Sequence, residues 1–347
     1  MIEFLAGIGA FALSLVLSPV IAHVAVRFRM VDEPKESRKV HKKPTPLLGG
    51  VAIFISIFLI TLTVLWRTDA LTIGEVTLLH YAGLFGGALI LVIGGILDDR
   101  FHLKPAYQFI APVLAIMVAI VGGLGIEKVT NPFGGVLFLE AQTFWLFDWP
   151  GDVLVFLWML GMIFTTKLLD GLDGLATGVG SVGVSMVLLL SASAAFFQPD
   201  MVLFSSIILG ALLGFLFWNR YPAAQFLGES GSLFIGFILG ALAILSGGKI
   251  ATLLLVMGVP ILDVVWVMAR RLLTGERVQS ADRKHLHHRL FDVGLSQNQV
   301  VTLYVCVALA FGALTLVLSS FAKLVALGVL AILMFSGVTL LLMTKKT

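Results

Sequence analysis

The chain has 347 residues, of which 59% are hydrophobic and 12% charged, with a mean hydropathy of +1.05. Soluble domains carry about 25% charged residues, so the composition excludes an aqueous globular protein and places the chain in a bilayer. The net charge of +3 is too small for a nucleic-acid-binding argument, and the lone Cys306, set in an apolar run, excludes an intramolecular disulfide.

Apolar stretches near the ~20 residues needed to cross ~30 Å of hydrocarbon fall at 3–26, 47–66, 80–97, 108–126, 153–169, 176–197, 201–218, 232–247, 250–269, 300–319 and 322–344. The first lacks a basic stretch before it and is longer than a signal-peptide core, so it reads as a retained span. None shows the alternation of a membrane barrel, and backbone groups in lipid must be satisfied internally. The expected fold is an all-α bundle of about eleven transmembrane helices forming one integral-membrane domain over 1–347.

Of the 23 Lys and Arg residues, 19 fall after the odd-numbered spans, whereas only Arg67, Lys128, Lys249 and Lys323 fall on the other side. The positive-inside rule then puts the N-terminus outside and the C-terminus in the cytoplasm. On the outer side, the connection 127–151 carries Asn-Pro-Phe-Gly-Gly followed by Val-Leu-Phe-Leu, which reads as a short hairpin with Trp145 and Trp149 at the membrane interface. No fixed-period repeat or linker marks a second domain.

Every unusual polar cluster lies in the expected cytoplasmic loops, 27–46, 98–107, 167–176, 219–231 and 270–299. The first, Arg38-Lys39-Val40-His41-Lys42-Lys43-Pro44, precedes Gly49-Gly50; it suits a lipid-surface anchor or a phosphate-binding loop. Asp98-Asp99 ends the third span, where two neighbouring carboxylates oppose the helix dipole and repel each other. A divalent cation or a shared proton would compensate, as would plain solvation with Arg100 as counter-ion. Next comes Asp170-Gly171-Leu172-Asp173-Gly174, which can turn two carboxylates to one side of a tight loop whose glycines admit close approach by a ligand. Its spacing only superficially matches a calcium loop.

Asn219-Arg220-Tyr221-Pro222 and Phe226-Leu227-Gly228-Glu229-Ser230-Gly231 follow, where Glu229 either caps a helix or sits beside metal-bound phosphates. Last, Asp282-Arg283-Lys284-His285-Leu286-His287-His288-Arg289 combines three histidines with three cations. That suits a transition-metal site or a pyrophosphate cradle, and the lack of cysteine with the excess of cations favours phosphate. Asp263, after Pro260, reads as structural or as a helix-end partner, although any intramembrane acid is a functional candidate.

In order and across nearly the whole chain, these five clusters resemble those of the polyprenyl-phosphate N-acetylhexosamine-1-phosphate transferases. His285-Leu286-His287-His288 is similar to the His-Ile-His-His of the GlcNAc branch rather than to the three consecutive histidines of the muramoyl-pentapeptide branch. The resemblance implies transfer of a sugar 1-phosphate from a UDP-N-acetylhexosamine to polyprenyl phosphate at the cytoplasmic face of the cell inner membrane, with Mg²⁺ as cofactor and Mn²⁺ as a substitute. It implies Asp98, Asp99, Asp173 and His287 as catalytic, and Asp99, Asp173 and Glu229 as metal-binding. Asp170, Asn219 and Phe226 would face the uridine, Arg283, His285, His287 and His288 the diphosphate, and Arg38 with Lys42 or Lys43 the lipid phosphate. A homodimer is left open. The rivals are a muramoyl-pentapeptide transferase or another UDP-sugar enzyme and, from a different class, a secondary transporter with acids near the bilayer midplane.

Two positions depart from the family pattern, which has Asn where this chain has Lys167 and Asp where it has Glu229. The two exchanges are expected to compensate each other, which requires their head groups to lie within ~8 Å, about a Debye length.

Overall fold

The computed structural model describes residues 1–34, 43–131, 133–144, 147–275 and 285–344. In chain order the elements are α1 (Ile2–Arg27), β1 (Val31–Asp32), β2 (Thr45–Pro46), α2 (Gly49–Arg67), α3 (Leu78–Phe101), α4 (Pro105–Gln108), α5 (Ile110–Val121), β3 (Lys128–Thr130), β4 (Val136–Phe138), β5 (Glu140–Phe144), β6 (Phe147–Pro150), α6 (Gly151–Leu169), α7 (Leu175–Ala192), α8 (Pro199–Asn219), α9 (Gly228–Leu245), α10 (Ile250–Val256), α11 (Gly258–Thr274), α12 (Leu286–Asp292), α13 (Gln297–Leu314) and α14 (Ser320–Thr344). The protein is an all-α polytopic bundle.

Each of the expected apolar runs is helical, but two are not straight spans. Among the described residues nine helices are long and apolar enough to cross a membrane, or ten if α10 and α11, bent by 76° to each other, make one span. The remaining run, Pro105–Val121, is shorter and breaks at Phe109 into α4 and α5.

Side-chain contacts fix the alternation of crossings. The C-terminal ends of α3 and α6 meet, with Lys167 Nζ 3.7 Å from Asp98 Oδ2, so α6 begins on the opposite face and Pro105–Val121 must carry the chain across. Likewise α9 begins beside Asp99 and leaves the site face, while His285 returns to a partner on α11; the bent pair makes that return crossing.

α9 is the hub. In its apolar window 83% of residues are buried inside the protein, against 17% for α1 and α14, which turn most of their surface to lipid. Small residues let backbones close on the hub, since a Cβ on Gly50 would run into Gly231 and one on Gly95 into Ser230. Indole N–H groups cross-tie the apolar helices, Trp158 Nε1 donating to Gly240 O at 3.0 Å and Trp218 Nε1 to Leu15 O at 2.9 Å.

On the face opposite the site, β3 and β4 form the expected hairpin, Lys128 opposite Phe138 and Thr130 opposite Val136. Its turn is closed by Gly134 N donating to Asn131 O at 3.0 Å. A second antiparallel pair, β5–β6, was not foreseen. Trp149 is 53% exposed, and Trp145 lies outside the described residues.

Candidate active site

The acids that end α3 are compensated by other elements. The chain reverses after Phe101 through His102, held at φ 49°, so that Leu103 N donates to Asp98 Oδ1 at 2.9 Å and Gln108 Nε2 to the same oxygen at 3.2 Å. Asp99 Oδ1 accepts Glu229 N at 2.9 Å, and no side chain of the preceding segment caps α9. Asp99 thus caps α9 from a different helix. The unfavourable C-terminus of α3 is set against the favourable N-terminus of α9, which resolves the dipole conflict read in the sequence. Gly228, at φ +72°, is required here, because a Cβ would lie 2.5 Å from Asp99 Oδ2.

Lys167 occupies the last turn of α6, where a cation suits the helix dipole. Its ammonium lies 3.0 Å from Glu229 Oε2 and donates to Gln108 Oε1 at 2.9 Å. The distance expected between the two exchanged residues was under ~8 Å, and the observed pair is in direct contact.

Asp170 ends α6 and Gly174, at φ +76°, opens α7. Asp173 Oδ2 accepts Ala223 N at 2.9 Å, which ties this loop to the turn after α8. Burial holds the Asp170 carboxyl well above the usual carboxylate range, and the charges of Glu229, Asp99 and Asp173 add to that rise. Four acids from three segments therefore crowd one site, at helix ends rather than in mid-span.

The segment 219–228 is laced to the one before α2. Asn219 is 2% exposed; its amide accepts Thr177 Oγ1 at 2.9 Å and donates to Gln225 O at 3.0 Å, so it shapes the loop. Phe226 N donates to Pro46 O at 2.9 Å, while Phe226 O and Leu227 O accept Gly49 N and Gly50 N, each at 3.0 Å. These bonds bring Lys43, exposed just ahead of β2, into the same part of the fold. Arg38, Lys42 and Arg283 lie outside the described residues, as does the side chain of His288.

Asp263 on α11 proves to be the helix-end partner considered in the sequence. Its Oδ2 lies 2.9 Å from His285 Nδ1, and its Oδ1 accepts Leu286 N at 2.9 Å. His285 stacks on His287 with ring centroids 5.8 Å apart. His287 Nε2 in turn sits 2.9 Å from where a Gly171 Cβ would be, so the histidine segment docks against the Asp170–Gly174 loop. The cavity left among Leu169, Asp263, His285, His287 and Tyr304 is about 10 Å³, room for at most one water. Sequence reasoning did not single out Gln108, Thr177 or Gln225; the available signal was that each is a polar residue bordering an apolar run.

Residues 81–247 match the profile of glycosyl transferase family 4. A Bacillus subtilis (strain 168) protein named "Probable undecaprenyl-phosphate N-acetylglucosaminyl 1-phosphate transferase" is 31% identical over 88% of this chain and 82% of its own length. The decaprenyl-phosphate N-acetylglucosaminephosphotransferase of Mycolicibacterium smegmatis is 33% identical over 84% and 76%. A phospho-N-acetylmuramoyl-pentapeptide-transferase of Shouchella clausii is 32% identical over 87% and 93%. With acids gathered at helix ends of an all-α membrane bundle, this chain belongs to glycosyl transferase family 4, the polyprenyl-phosphate N-acetylhexosamine-1-phosphate transferases.

Proposed function

We propose that the protein transfers N-acetylglucosamine 1-phosphate from UDP-N-acetylglucosamine to polyprenyl phosphate. An oxygen of the lipid phosphate attacks the sugar-bearing phosphorus; the bond from that phosphorus to the bridging oxygen breaks, and UMP leaves with that oxygen. The products are polyprenyl-diphospho-N-acetylglucosamine and UMP. The observation that carries this reading is the gathering of Asp98, Asp99, Asp170, Asp173 and Glu229 in one part of the fold, with Asp98 and Glu229 beside the Lys167 ammonium, next to a loop tied down by His285 and His287.

Mg²⁺, with Mn²⁺ as substitute, suits this donor set. The ligands are hard oxygens, and Asp99 Oδ2 is buried with no hydrogen-bond partner. Among the described residues no three His, Cys, Asp or Glu side chains converge tightly enough to hold a metal by themselves. Of Asp99, Asp173 and Glu229, one or two would hold it directly with substrate phosphates completing its shell, and it would neutralise charge on the diphosphate.

The chain's own groups do the rest. Asp98 and Asp99 orient the acceptor phosphate, which is already an anion and needs no deprotonation to attack. Asp170 and Phe226 frame the uridine on the loop that Asn219 shapes, His285 and His287 hold the diphosphate, and Lys43 meets the lipid phosphate. The basic asymmetry of the loops supports a cytoplasmic site in the inner membrane. The test is UMP release by the purified enzyme with polyprenyl phosphate, Mg²⁺ and a panel of UDP-sugars. Release with UDP-N-acetylglucosamine is expected; release only with a UDP-muramoyl-pentapeptide would overturn the donor assignment, and full turnover in excess chelator would overturn the metal.

A further inference from the structure

Lys167 connects four pieces of the site. Its ammonium stands 3.0 Å from Glu229 Oε2 on α9, 3.7 Å from Asp98 Oδ2 on α3 and 2.9 Å from Gln108 Oε1 on α4. Gln108 in turn donates to Asp98, and the backbone N–H of Glu229 to Asp99. An ammonium is thereby held against Asp98 and Glu229 by the helix that ends in Asp170.

We propose that Lys167 and Glu229 act as one unit, in which the tethered ammonium supplies part of the positive charge the acids need and faces the donor's diphosphate, so that the site binds its divalent cation more weakly than the same acids would without it. This rests on the reading of the site as one for a divalent cation and a nucleoside-diphosphate sugar. Two like charges within a few ångströms in a partly buried site repel, and that repulsion falls on the incoming metal. The same ammonium attracts a polyanion, and the Lys167 side chain keeps 16% exposure, enough for a phosphate oxygen to reach it. The pairing also accounts for the side-chain length at position 229. Oε2 of Glu229 is buried, and a carboxylate one methylene shorter would withdraw from the ammonium. A neutral amide at position 167 would leave that oxygen buried opposite no charge.

The experiment compares full-length, detergent-purified wild type with Lys167→Asn, Glu229→Asp, the double variant, and Lys167→Arg as the charge-preserving control. Mn²⁺ binding is read directly from the loss of the free-ion electron paramagnetic resonance signal, and turnover from UMP release. Lys167→Asn and the double variant should bind Mn²⁺ at least ~10-fold more tightly than wild type, and Lys167→Arg within about threefold of it. Each single exchange should lose ~10-fold or more in turnover, while the double variant recovers to within a few-fold of wild type, the mark of coupled residues. Unchanged Mn²⁺ affinity in Lys167→Asn, no Mn²⁺ binding by any of the proteins, or a double variant showing the product of the single losses would each overturn the proposal. Thermal unfolding of every variant separates misfolding from loss of function, and the double variant, with opposite charges removed and shortened together, carries the comparison if Lys167→Asn does not fold. A wild type that binds Mn²⁺ but releases no UMP would sink the donor reading alone, and the Mn²⁺ comparison would still decide this one.

Discussion

Asp263 holds His285 from a different helix, Oδ2 to Nδ1 at 2.9 Å, and with its other oxygen accepts the backbone N–H of Leu286 at 2.9 Å. One carboxylate therefore sets both the ring orientation of His285 and the start of α12, and through the stacked His287 the position of the Asp170–Gly174 loop.

Replacing Asp263 by Asn should leave the bundle folded but lower kcat/KM for the sugar donor by about 10- to 100-fold, the usual cost of losing a carboxylate that orients a histidine. Kinetics of UMP release beside a melting curve checks this. A loss confined to thermal stability would assign Asp263 to packing alone.

Asp99→Asn keeps the size of the side chain and removes its charge. Turnover should fall by at least ~10²-fold while donor affinity stays within a few-fold, as for an interaction used mainly in the transition state. His287→Ala should weaken donor binding as well, because a diphosphate contact acts in the ground state. Calorimetry with the UDP-sugar separates the two patterns.

Backbone proximity at the hub gives a packing test. Gly95→Val must displace the first turn of α9, since its Cβ would meet Ser230 backbone. A destabilisation of ~1–3 kcal/mol or more is expected, together with lost activity, because Glu229 and Asp99 move apart. Gly161→Ala, where nothing lies within 4 Å of the added carbon, should instead stabilise by ~0.5–1 kcal/mol through helix propensity. Thermal unfolding in one detergent compares the pair.

On the face opposite the site, Lys249 donates to Gln198 Oε1 and Ser246 O, each at 2.6 Å. Burial pushes its ammonium down to about 8, with Asp200 pulling it up and Lys323 pushing it further down. Between that value and an ordinary lysine pKa of about 10.4, the unfolded chain holds a proton the folded protein has released, so stability rises with pH across this window. Wild-type Tm should therefore gain on that of Lys249→Met as pH goes from about 8 to 10. A constant difference between the two melting profiles would refute the assignment.

Topology is tested by reporters. A fusion after Lys346 should be cytoplasmic and an insertion at the Asn131–Gly135 turn external, as the basic asymmetry of the loops requires; a C-terminal reporter on the outside would place the site on the wrong face.

Much of this was legible in the sequence because membrane helices are announced by unbroken apolar runs and because Asp98, Asp99, Asp170, Asp173 and Glu229 stand at the ends of such runs. The α10–α11 bend was not legible, since a bent apolar stretch has the same composition as a straight one. Nor was the capping of α9 by Asp99, which joins residues 130 positions apart and depends on how Gly95 and Gly50 let three helices close. The pairing of Lys167 with Glu229 was readable only as two linked departures from a pattern; the third member, Gln108, follows from the short turn that brings α4 back under α3.

That turn belongs to the shortest crossing of the bundle. Even laid end to end, α4 and α5 rise at most about 25 Å at ~1.5 Å per residue, some 5 Å less than a typical hydrocarbon core of ~30 Å. Hydrophobic mismatch of this kind is relieved by local thinning of the bilayer or by drawing the helix end below the headgroup plane. The end in question carries Gln108, in contact with both Asp98 and Lys167, so the second route would draw the acids and their cation down with it. The proposed acceptor lipid would then meet them by sliding sideways within its leaflet, with its chain never leaving the hydrocarbon.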